Sequence, residues 1–212
     1  HYYLGTRPIK GHVGGGLCRV TLDPLEATWW KDPVGPQSII GVVAIEETNQ
    51  LLGATSHYGG SSSIPEEDVG YVFLWDCAHE RVVAKDMPVE GAGSYSAPVR
   101  AGNGVVYGIA YTSERERIVF GWDPIERRLV CTGELPGQSL PFPTLHSRPV
   151  GPDGLIIGLA DDAVYAIAPA DHSVSVLARH ESISRAHGFF VTEEGVLYYG
   201  SGAELWRCDL LP

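Results

Sequence analysis

The strongest constraint on this chain is a strand–turn–strand pattern that recurs along its length. In residues 70–85, a run of strand-forming residues ends at Asp76, a four-residue turn follows, and a second short strand begins at Arg81. The pattern returns at residues 16–30 and 117–130, more weakly at 163–176, and as its first half at 204–209. A chain built in this way repeats one supersecondary unit.

The spacing of the pattern indicates an architecture. Intervals of 53, 47, 45 and 41 residues separate the five positions where these strands end, Asp23, Asp76, Asp123, Ala168 and Asp209. Repeats of roughly 40 to 50 residues with several strands each are typical of propeller blades. We therefore predict an all-β fold, a β-propeller of four-stranded antiparallel blades.

Turn signals divide the chain into about five blades within a single propeller domain. Runs of β-forming residues alternate with Asn-Gly, Asp-Gly and Pro/Gly-rich segments, which are typical of hairpins and loops. The blades are predicted at approximately residues 1–31, 39–85, 97–131, 147–177 and 187–212. The first lacks an innermost strand and the last an outermost one. We expect the chain to be part of a larger propeller, with the remaining blades from the parent chain or another chain as partners.

Two innermost strands and one buried strand are specific expectations. The innermost strand is predicted near residues 97–100 in the third blade and at residues 147–150 in the fourth. The strand over residues 71–75 is apolar on both faces, and such a strand needs cover on both sides.

Charge and hydropathy narrow the classes of partner. The chain has 15 Lys and Arg against 26 Asp and Glu, giving a net charge of −11, and no loop contains a run of basic residues. We therefore predict no nucleic-acid partner. The longest apolar stretches are far shorter than the ~20 residues of a membrane helix, so no membrane span is expected. The chain opens on His1 without a visible signal peptide, which suggests a processed or trimmed product.

The cysteines give a weak indication of compartment. Cys18, Cys77, Cys131 and Cys208 lie in or beside strands of different repeats. Most pairings would be too long for a disulfide, so we predict free thiols. Free thiols favour the cytoplasm, or an exported bacterial protein that does not use disulfides. No C-x-x-C pair is present, and a cysteine zinc cluster is not expected.

Two strand endings resemble those of a known class of repeats. Leu74-Trp-Asp76 and Gly121-Trp-Asp-Pro124 look like the strand endings of WD40-type and YVTN-type β-propeller repeats, a resemblance that covers essentially the whole chain. The Gly-His dipeptide of eukaryotic WD40 repeats and the Ser-x-Asp-x-Gly-x-x-Trp box of sialidase-type propellers are absent. Residues 14–60 look more like bacterial propellers found beside carbohydrate-active modules. This resemblance favours an exported bacterial protein.

The resemblance implies where a ligand would bind. In propellers, the loops between the second and third strands and those between blades gather on one face, which is the usual ligand face. The longest loops here are of these two kinds, at residues 6–16, 57–68, 88–96, 136–148 and 179–187. Gly14–Gly16 is predicted to let two loops approach closely.

These loops contain five of the eight histidines and supply the candidate site residues. The candidate catalytic residues are His57, His146, His187, Arg148 and Tyr58. The predicted ligand-binding residues are His12, His57, Tyr58, Tyr95, Arg148 and Arg185. Imidazoles act as acids, bases or metal ligands, and arginine binds carboxylates bidentately. The competing explanation is that polar residues are common in any exposed loop.

No cofactor and no metal site are predicted, although a divalent cation stays open as an alternative. A metal or proton relay would need His57, His146 and His187 to converge, and we expect at most two of them to share a pocket. The acidic run Glu66-Glu67-Asp68 lacks EF-hand spacing. Of Trp29 and Trp30, one is expected to pack inward and the other to be exposed for stacking on a sugar or a partner.

Two functions fit these observations. The first is a binding or interaction module with a carbohydrate-like or protein ligand on the loop-rich face. The alternative is a polysaccharide lyase or hydrolase of acidic glycans, with a His/Arg site on the same face. No Ser-His-Asp order, paired-carboxylate motif or metal-ligand spacing favours the enzyme, so we favour the binding module.

Overall fold

A computed structural model describes residues 1–137 and 144–210, and almost all of its regular structure is β-strand. Apart from strands, the described residues form two short 3-10 helices, Glu46–Thr48 and Glu181–Arg185. None of the helices in this part of the chain is long and apolar enough to cross a membrane. The loop predicted at residues 136–148 lies partly outside the described residues.

The chain separates into two compact units. The first comprises His1–Pro98, Ala110–Glu116 and Pro124–Arg128, and the second comprises Val99–Ile109, Arg117–Asp123 and Leu129–Pro212. Up to Tyr95, the strands are β1 (Tyr2–Gly5), β2 (Gly16–Leu22), β3 (Leu25–Lys31), β4 (Ser38–Ile45), β5 (Gln50–Ser56), β6 (Val72–Asp76), β7 (Arg81–Asp86) and β8 (Ala92–Tyr95).

The remaining strands follow the same alternation. They are β9 (Val99–Arg100), β10 (Val106–Thr112), β11 (Arg117–Asp123), β12 (Arg128–Glu134), β13 (Thr144–Leu145), β14 (Ile156–Ala160), β15 (Ala163–Ile167), β16 (Val174–Arg179), β17 (Ala186–Val191), β18 (Val196–Ser201) and β19 (Glu204–Asp209).

Antiparallel pairing of sequence neighbours builds the sheets. In the first unit, β1, β2 and β3 form a three-stranded sheet, and β4, β5, β6 and β7 pair in sequence order as one blade. In the second unit, β13 to β16 form a four-stranded sheet and β17 to β19 a three-stranded one. The sequence predicts the four strands of the second blade at residues 39–45, 51–56, 71–75 and 81–85, and the observed strands match these bounds to within one residue.

The innermost strand of the third blade differs from its prediction. Val99–Arg100 pairs with β10, at Val106↔Arg100 and Tyr107↔Val99. A strand that was not predicted, β8, pairs with the far end of β10 at Ala110↔Tyr95. Pro98 stands between the two pieces and has no N–H to donate, so a continuous strand over residues 97–100 does not form.

The prediction for the innermost strand of the fourth blade was wrong. The strand lies at Thr144–Leu145, and the His146 N–H extends its ladder to the Ile157 carbonyl at 2.7 Å. Within the predicted range of residues 147–150, only Val150 pairs, in an isolated bridge to Leu155. Pro149 removes a backbone donor where the predicted strand would have needed one.

A glycine facing an aromatic ring recurs in the cores of three blades. Gly53 on β5 lies opposite Phe73 on β6, and Gly158 on β14 lies opposite Tyr165 on β15. Gly108 on β10 is covered in the same way by Phe120 on β11. A methyl group at any of these glycines would overlap the ring. The three rings are at most 1% exposed, so they form much of the buried core.

We predict that Gly53→Ala destabilises the protein by about 1–3 kcal/mol, because overpacking forces the ring and backbone apart. The measurement is the free energy of unfolding in denaturant. Gly102→Ala is the matched control, since nothing lies within 4 Å of its added Cβ, and it should change stability by less than ~1 kcal/mol. Combining Gly53→Ala with Phe73→Leu should recover part of the loss. Equal stabilities for the two single variants would contradict the prediction.

Candidate functional site

Backbone hydrogen bonds join two long loops of the first unit. The Gly11 N–H donates to the Ser61 carbonyl at 2.9 Å, and the Gly60 N–H donates to the His12 carbonyl at 2.8 Å. A methyl group at Gly60 would overlap the Ile9 carbonyl, so only glycine allows the two backbones to come this close. The β1–β2 loop and the β5–β6 loop are therefore one joined structure.

A third loop, between β3 and β4, is held to the first by Gly15. The Gly15 N–H donates to Asp32 Oδ1 at 3.0 Å, and the Asp32 N–H donates to the Gly15 carbonyl at 2.7 Å. A Cβ at Gly15 would press on the carbonyls of Thr6 and Gln37. The prediction that Gly14–Gly16 lets two loops approach closely is confirmed.

A buried glutamine fastens the same loop to the β5–β6 segment. Gln37 is 1% exposed, and its Oε1 accepts a hydrogen bond from the Thr55 hydroxyl at 2.8 Å. Its Nε2 donates to Glu67 at 2.5 Å and to the Val69 carbonyl at 3.0 Å. Every polar atom of this side chain is thus satisfied, as burial requires. Glu67, which belongs to the acidic run of residues 66–68, accepts one of these structural hydrogen bonds.

Two neighbouring cavities lie along the joined loops, and together we call them the loop groove. The larger has a volume of about 690 Å³, and Tyr58 lines it with Gly59, Gly60, Ser61, Ser62, Ser63 and Pro65. The smaller has a volume of about 370 Å³, and His12, Trp29, Lys31 and Asp32 are among its lining residues. Arg7 and Pro8 line both cavities and so connect them.

The groove presents two aromatic rings to solvent. Trp29 is 60% exposed and Tyr58 is 55% exposed, whereas Trp30 packs inward with its ring centroid 4.9 Å from that of Trp75. The prediction that one tryptophan of the pair packs inward and the other is exposed is confirmed. Strand alternation explains it, because successive residues of β3 face opposite sides of the sheet.

His57 lies behind Tyr58 instead of in the groove lining. The two rings meet edge to face, with centroids 4.0 Å apart, and the imidazole also packs on the backbone of Gly93. Both ring nitrogens are buried and have no hydrogen-bond partner among the described residues. His57 therefore contacts the Tyr58 ring without lining the groove itself.

Tyr95 is a buried core residue and does not reach the surface. The residue is 1% exposed, and its hydroxyl donates to the Val89 carbonyl at 3.1 Å. Burial raises the pKa of Tyr95 to about 12. A buried phenol with its hydroxyl already used cannot contact a surface ligand, so we leave Tyr95 out of the candidate site.

The other predicted site residues lie in the second unit. His146 is 8% exposed, with its Nδ1 2.9 Å from the Arg148 carbonyl and its ring 5.5 Å from that of Phe190. His187 is exposed and its Nδ1 lies 3.4 Å from the Arg185 carbonyl. The side chains of Arg148 and Arg185 are exposed. These imidazoles make local hydrogen bonds to their own loops.

No group of three His, Cys, Asp or Glu side chains placed to hold a metal occurs within residues 1–137 and 144–210. The four cysteines are free. His57 belongs to the first unit and His146 and His187 to the second, so the expectation that at most two of the three share a pocket stays a prediction.

Several residues of the loop groove have no functional signal of their own in the sequence. Arg7, Pro8 and Lys31 were not singled out, although Arg7 and Pro8 lie in a loop that was. The available signal was the strand pattern of β3. With Trp30 assigned to the core, Trp29 and Lys31 must share the opposite face.

The architecture agrees with that of solved structures. A functionally unknown protein from Desulfotomaculum acetoxidans matches with a TM-score of 0.62 and 10% identity, covering 97% of this chain and 64% of that one. The WD40 β-propeller domain of Doa1 matches with a TM-score of 0.57 and 15% identity, over 91% and 59% of the two chains. The chain has the β-propeller fold.

A third match is a bacterial gluconolactonase. The periplasmic gluconolactonase of Pseudomonas aeruginosa matches with a TM-score of 0.59 and 14% identity, covering 94% of this chain and 59% of that one. The chain thus spans less than two thirds of the length of each of these three structures. No family model and no curated protein matches it in sequence. The predicted relation to WD40-like propellers is confirmed at the level of fold.

We predict that Gly60→Ala separates the two joined loops, because the added methyl overlaps the Ile9 carbonyl and that backbone must move. The Gly11 amide, which donates to Ser61, should lose protection. The measurement is hydrogen exchange of the Gly11 N–H by NMR, with Gly102→Ala as the control. Unchanged exchange of Gly11 in Gly60→Ala would rule out the close backbone approach.

We predict that Tyr95 makes stability fall with pH in alkaline solution. Its folded-state pKa of about 12 exceeds the ordinary 10.0, so the unfolded chain loses this proton first as pH rises. The contribution of the protonated Tyr95 to the free energy of unfolding is fully present below pH 10. It is lost as pH rises through 12, and the total loss is about 2–3 kcal/mol. Denaturant unfolding of Tyr95→Phe should show a shallower decline over that range. Tyr2→Phe, at an exposed tyrosine, is the control, and equal slopes for the two variants would contradict the assignment.

Proposed function

We propose that this propeller is a binding module and that a carbohydrate-like ligand occupies the loop groove. The observation that carries the proposal is the pair of exposed rings, Trp29 and Tyr58, each lining one of two cavities joined by Arg7 and Pro8. Exposed aromatic rings beside polar groups are typical of binding surfaces. A sugar offers both matching features, an apolar C–H face for the ring and hydroxyls for the polar groups.

The polar lining suits a ligand that is rich in hydroxyl groups. Ser61, Ser62 and Ser63 line the larger cavity, and their hydroxyls make no hydrogen bond within the described residues. Each serine hydroxyl can donate one hydrogen bond and accept two. The run therefore supplies both kinds of polar contact beside the Tyr58 ring.

The size and rigidity of the groove also support the proposal. Small-molecule sites commonly have volumes of about 300–1,000 Å³, and both cavities fall in this range. The hydrogen bonds from Gly11 and Gly60 hold the walls before any ligand arrives. A preformed wall reduces the ordering cost that binding would otherwise incur.

We predict that Trp29→Ala and Tyr58→Ala each weaken binding to a glycan identified on an oligosaccharide array by at least ~1 kcal/mol, or roughly fivefold, because each removes a stacking surface. The affinity is measured by calorimetric titration. Tyr2→Ala is the matched control, since Tyr2 is 60% exposed and lies outside the groove lining. Thermal unfolding of each variant would show that its fold is retained.

Three outcomes distinguish the alternatives. Binding that is lost in both groove variants and kept in Tyr2→Ala supports the sugar site. Failure to bind any oligosaccharide on the array would contradict a carbohydrate ligand and leave a protein ligand to be tested. Accumulation of unsaturated or hydrolysed sugar products would instead favour the enzyme, a lyase or hydrolase of acidic glycans.

A further inference from the structure

The charge of the loop groove is opposite in sign to the charge of the chain. The chain as a whole has a net charge of −11. The described lining of the two cavities contains Arg7, His12 and Lys31 but one carboxylate, Asp32. A concave surface lined by one sign of charge concentrates ligands of the other sign. This local reversal favours an anionic ligand.

The single carboxylate has one of its two oxygens bonded to the backbone. Asp32 Oδ1 accepts the Gly15 N–H at 3.0 Å, and the side chain packs so closely on Gly14 that a methyl group there would overlap it. Its Oδ2 lies 3.9 Å from the Lys31 ammonium, whose side chain is 92% exposed. An exposed contact of this length contributes little, so Lys31 stays available to a ligand.

Arg7 is the arginine in the lining of the loop groove. It is exposed, lines both cavities, and makes no hydrogen bond or ion pair within the described residues. Four other arginines pair with carboxylates, at Arg19–Glu80, Arg127–Asp86, Arg179–Asp162 and Arg207–Asp209. A guanidinium carries five N–H donors in a planar fork that fits a carboxylate or sulfate.

The spacing of Trp29 and Lys31 fits one sugar unit with a charged substituent. The two residues are two apart on β3, so their side chains leave the same face of the strand about 7 Å apart. Both line the smaller cavity together with Arg7. A sugar ring stacked on Trp29 therefore has cationic groups within reach of its substituents.

We propose, building on the carbohydrate site above, that the groove selects acidic glycans. The sugar ring stacks on Trp29, and its carboxylate or sulfate accepts hydrogen bonds from the Arg7 guanidinium, with Lys31 adding a second positive charge. The serine-lined cavity beside Tyr58 receives the next sugar unit through hydroxyl contacts.

Matched ligands test the charge requirement separately from sugar binding. The first pair is a galacturonic acid oligomer and its carboxyl-reduced galactose counterpart. The second is a heparin-derived oligosaccharide and its desulfated form, which distinguishes carboxylate from sulfate. Neutral oligosaccharides from glucan, xylan and mannan complete the set. Each is titrated against the protein at low salt and at about 0.3 M salt, where exposed charge interactions are screened.

We expect at least one ligand to bind about tenfold or more tightly than the counterpart that lacks its carboxylates or sulfates, with the difference falling at high salt. Arg7→Gln should lower the affinity for that acidic ligand by about tenfold to a hundredfold, which is the range expected for the loss of a charged hydrogen bond. Lys31→Gln should lower the same affinity by a smaller factor. Lys10→Gln is the control, because it removes the same charge from the same loop without lining either cavity.

The possible failures are distinguishable. Equal binding of the two members of each pair, with no effect of Arg7→Gln, would overturn the acidic preference and leave the carbohydrate site standing. Equal losses in Arg7→Gln and Lys10→Gln would also overturn it, since general charge and not the groove would then be responsible. Binding to none of these ligands would overturn both proposals.

Discussion

The packing of an aromatic ring on a glycine of the neighbouring strand is the contact on which the blade cores depend. Phe73, Phe120 and Tyr165 lie over Gly53, Gly108 and Gly158 in three successive blades. Because glycine has no Cβ, the ring rests directly on the backbone and is almost completely buried. Glycine in a strand costs about 0.5–1 kcal/mol relative to alanine, whereas a buried aromatic side chain removes about 150–250 Å² from water. The burial outweighs the cost of the glycine, so the pair is a stable unit that each repeat can use.

Glycine has a different use in the loop groove, where it brings backbone to backbone. At Gly15 and Gly60, a side chain would overlap carbonyl groups of the facing loop. The loops are consequently joined through N–H and C=O groups, and the buried amide side chain of Gln37 has all its polar atoms paired. The structural bonds are thus made mainly by the backbone. Side chains such as Arg7 and the serines of the β5–β6 loop stay unengaged, and a binding surface requires side chains in that state.

Several histidines contact groups within the protein, close to their own loops. His172 Nδ1 lies 2.6 Å from the Tyr107 hydroxyl, and His180 accepts the Ser182 N–H at the start of a 3-10 helix. His146 is hydrogen-bonded to the backbone carbonyl two residues along the chain, and the His57 ring packs against the Tyr58 ring. Imidazole combines a flat apolar body with two polar atoms, so loops use it readily for their own internal bonds. A high count of histidines in loops therefore reflects local structure as readily as catalysis.

The sequence by itself determined the β-propeller fold class and most strand positions, because alternation and turn residues are local signals. The second blade was predicted to within one residue, and the exposure of one tryptophan beside a buried one followed from the two-residue period of a strand. Only the tertiary structure decided the inner strands at Ala92–Tyr95 and Thr144–Leu145, which are short and exist because a distant strand offers partners. It also decided the loop groove. Arg7 and Tyr58 are 51 positions apart in the sequence, and they come together because glycines let two loops touch. Contacts of that kind depend on the geometry of the folded backbone, which no local pattern of residues records.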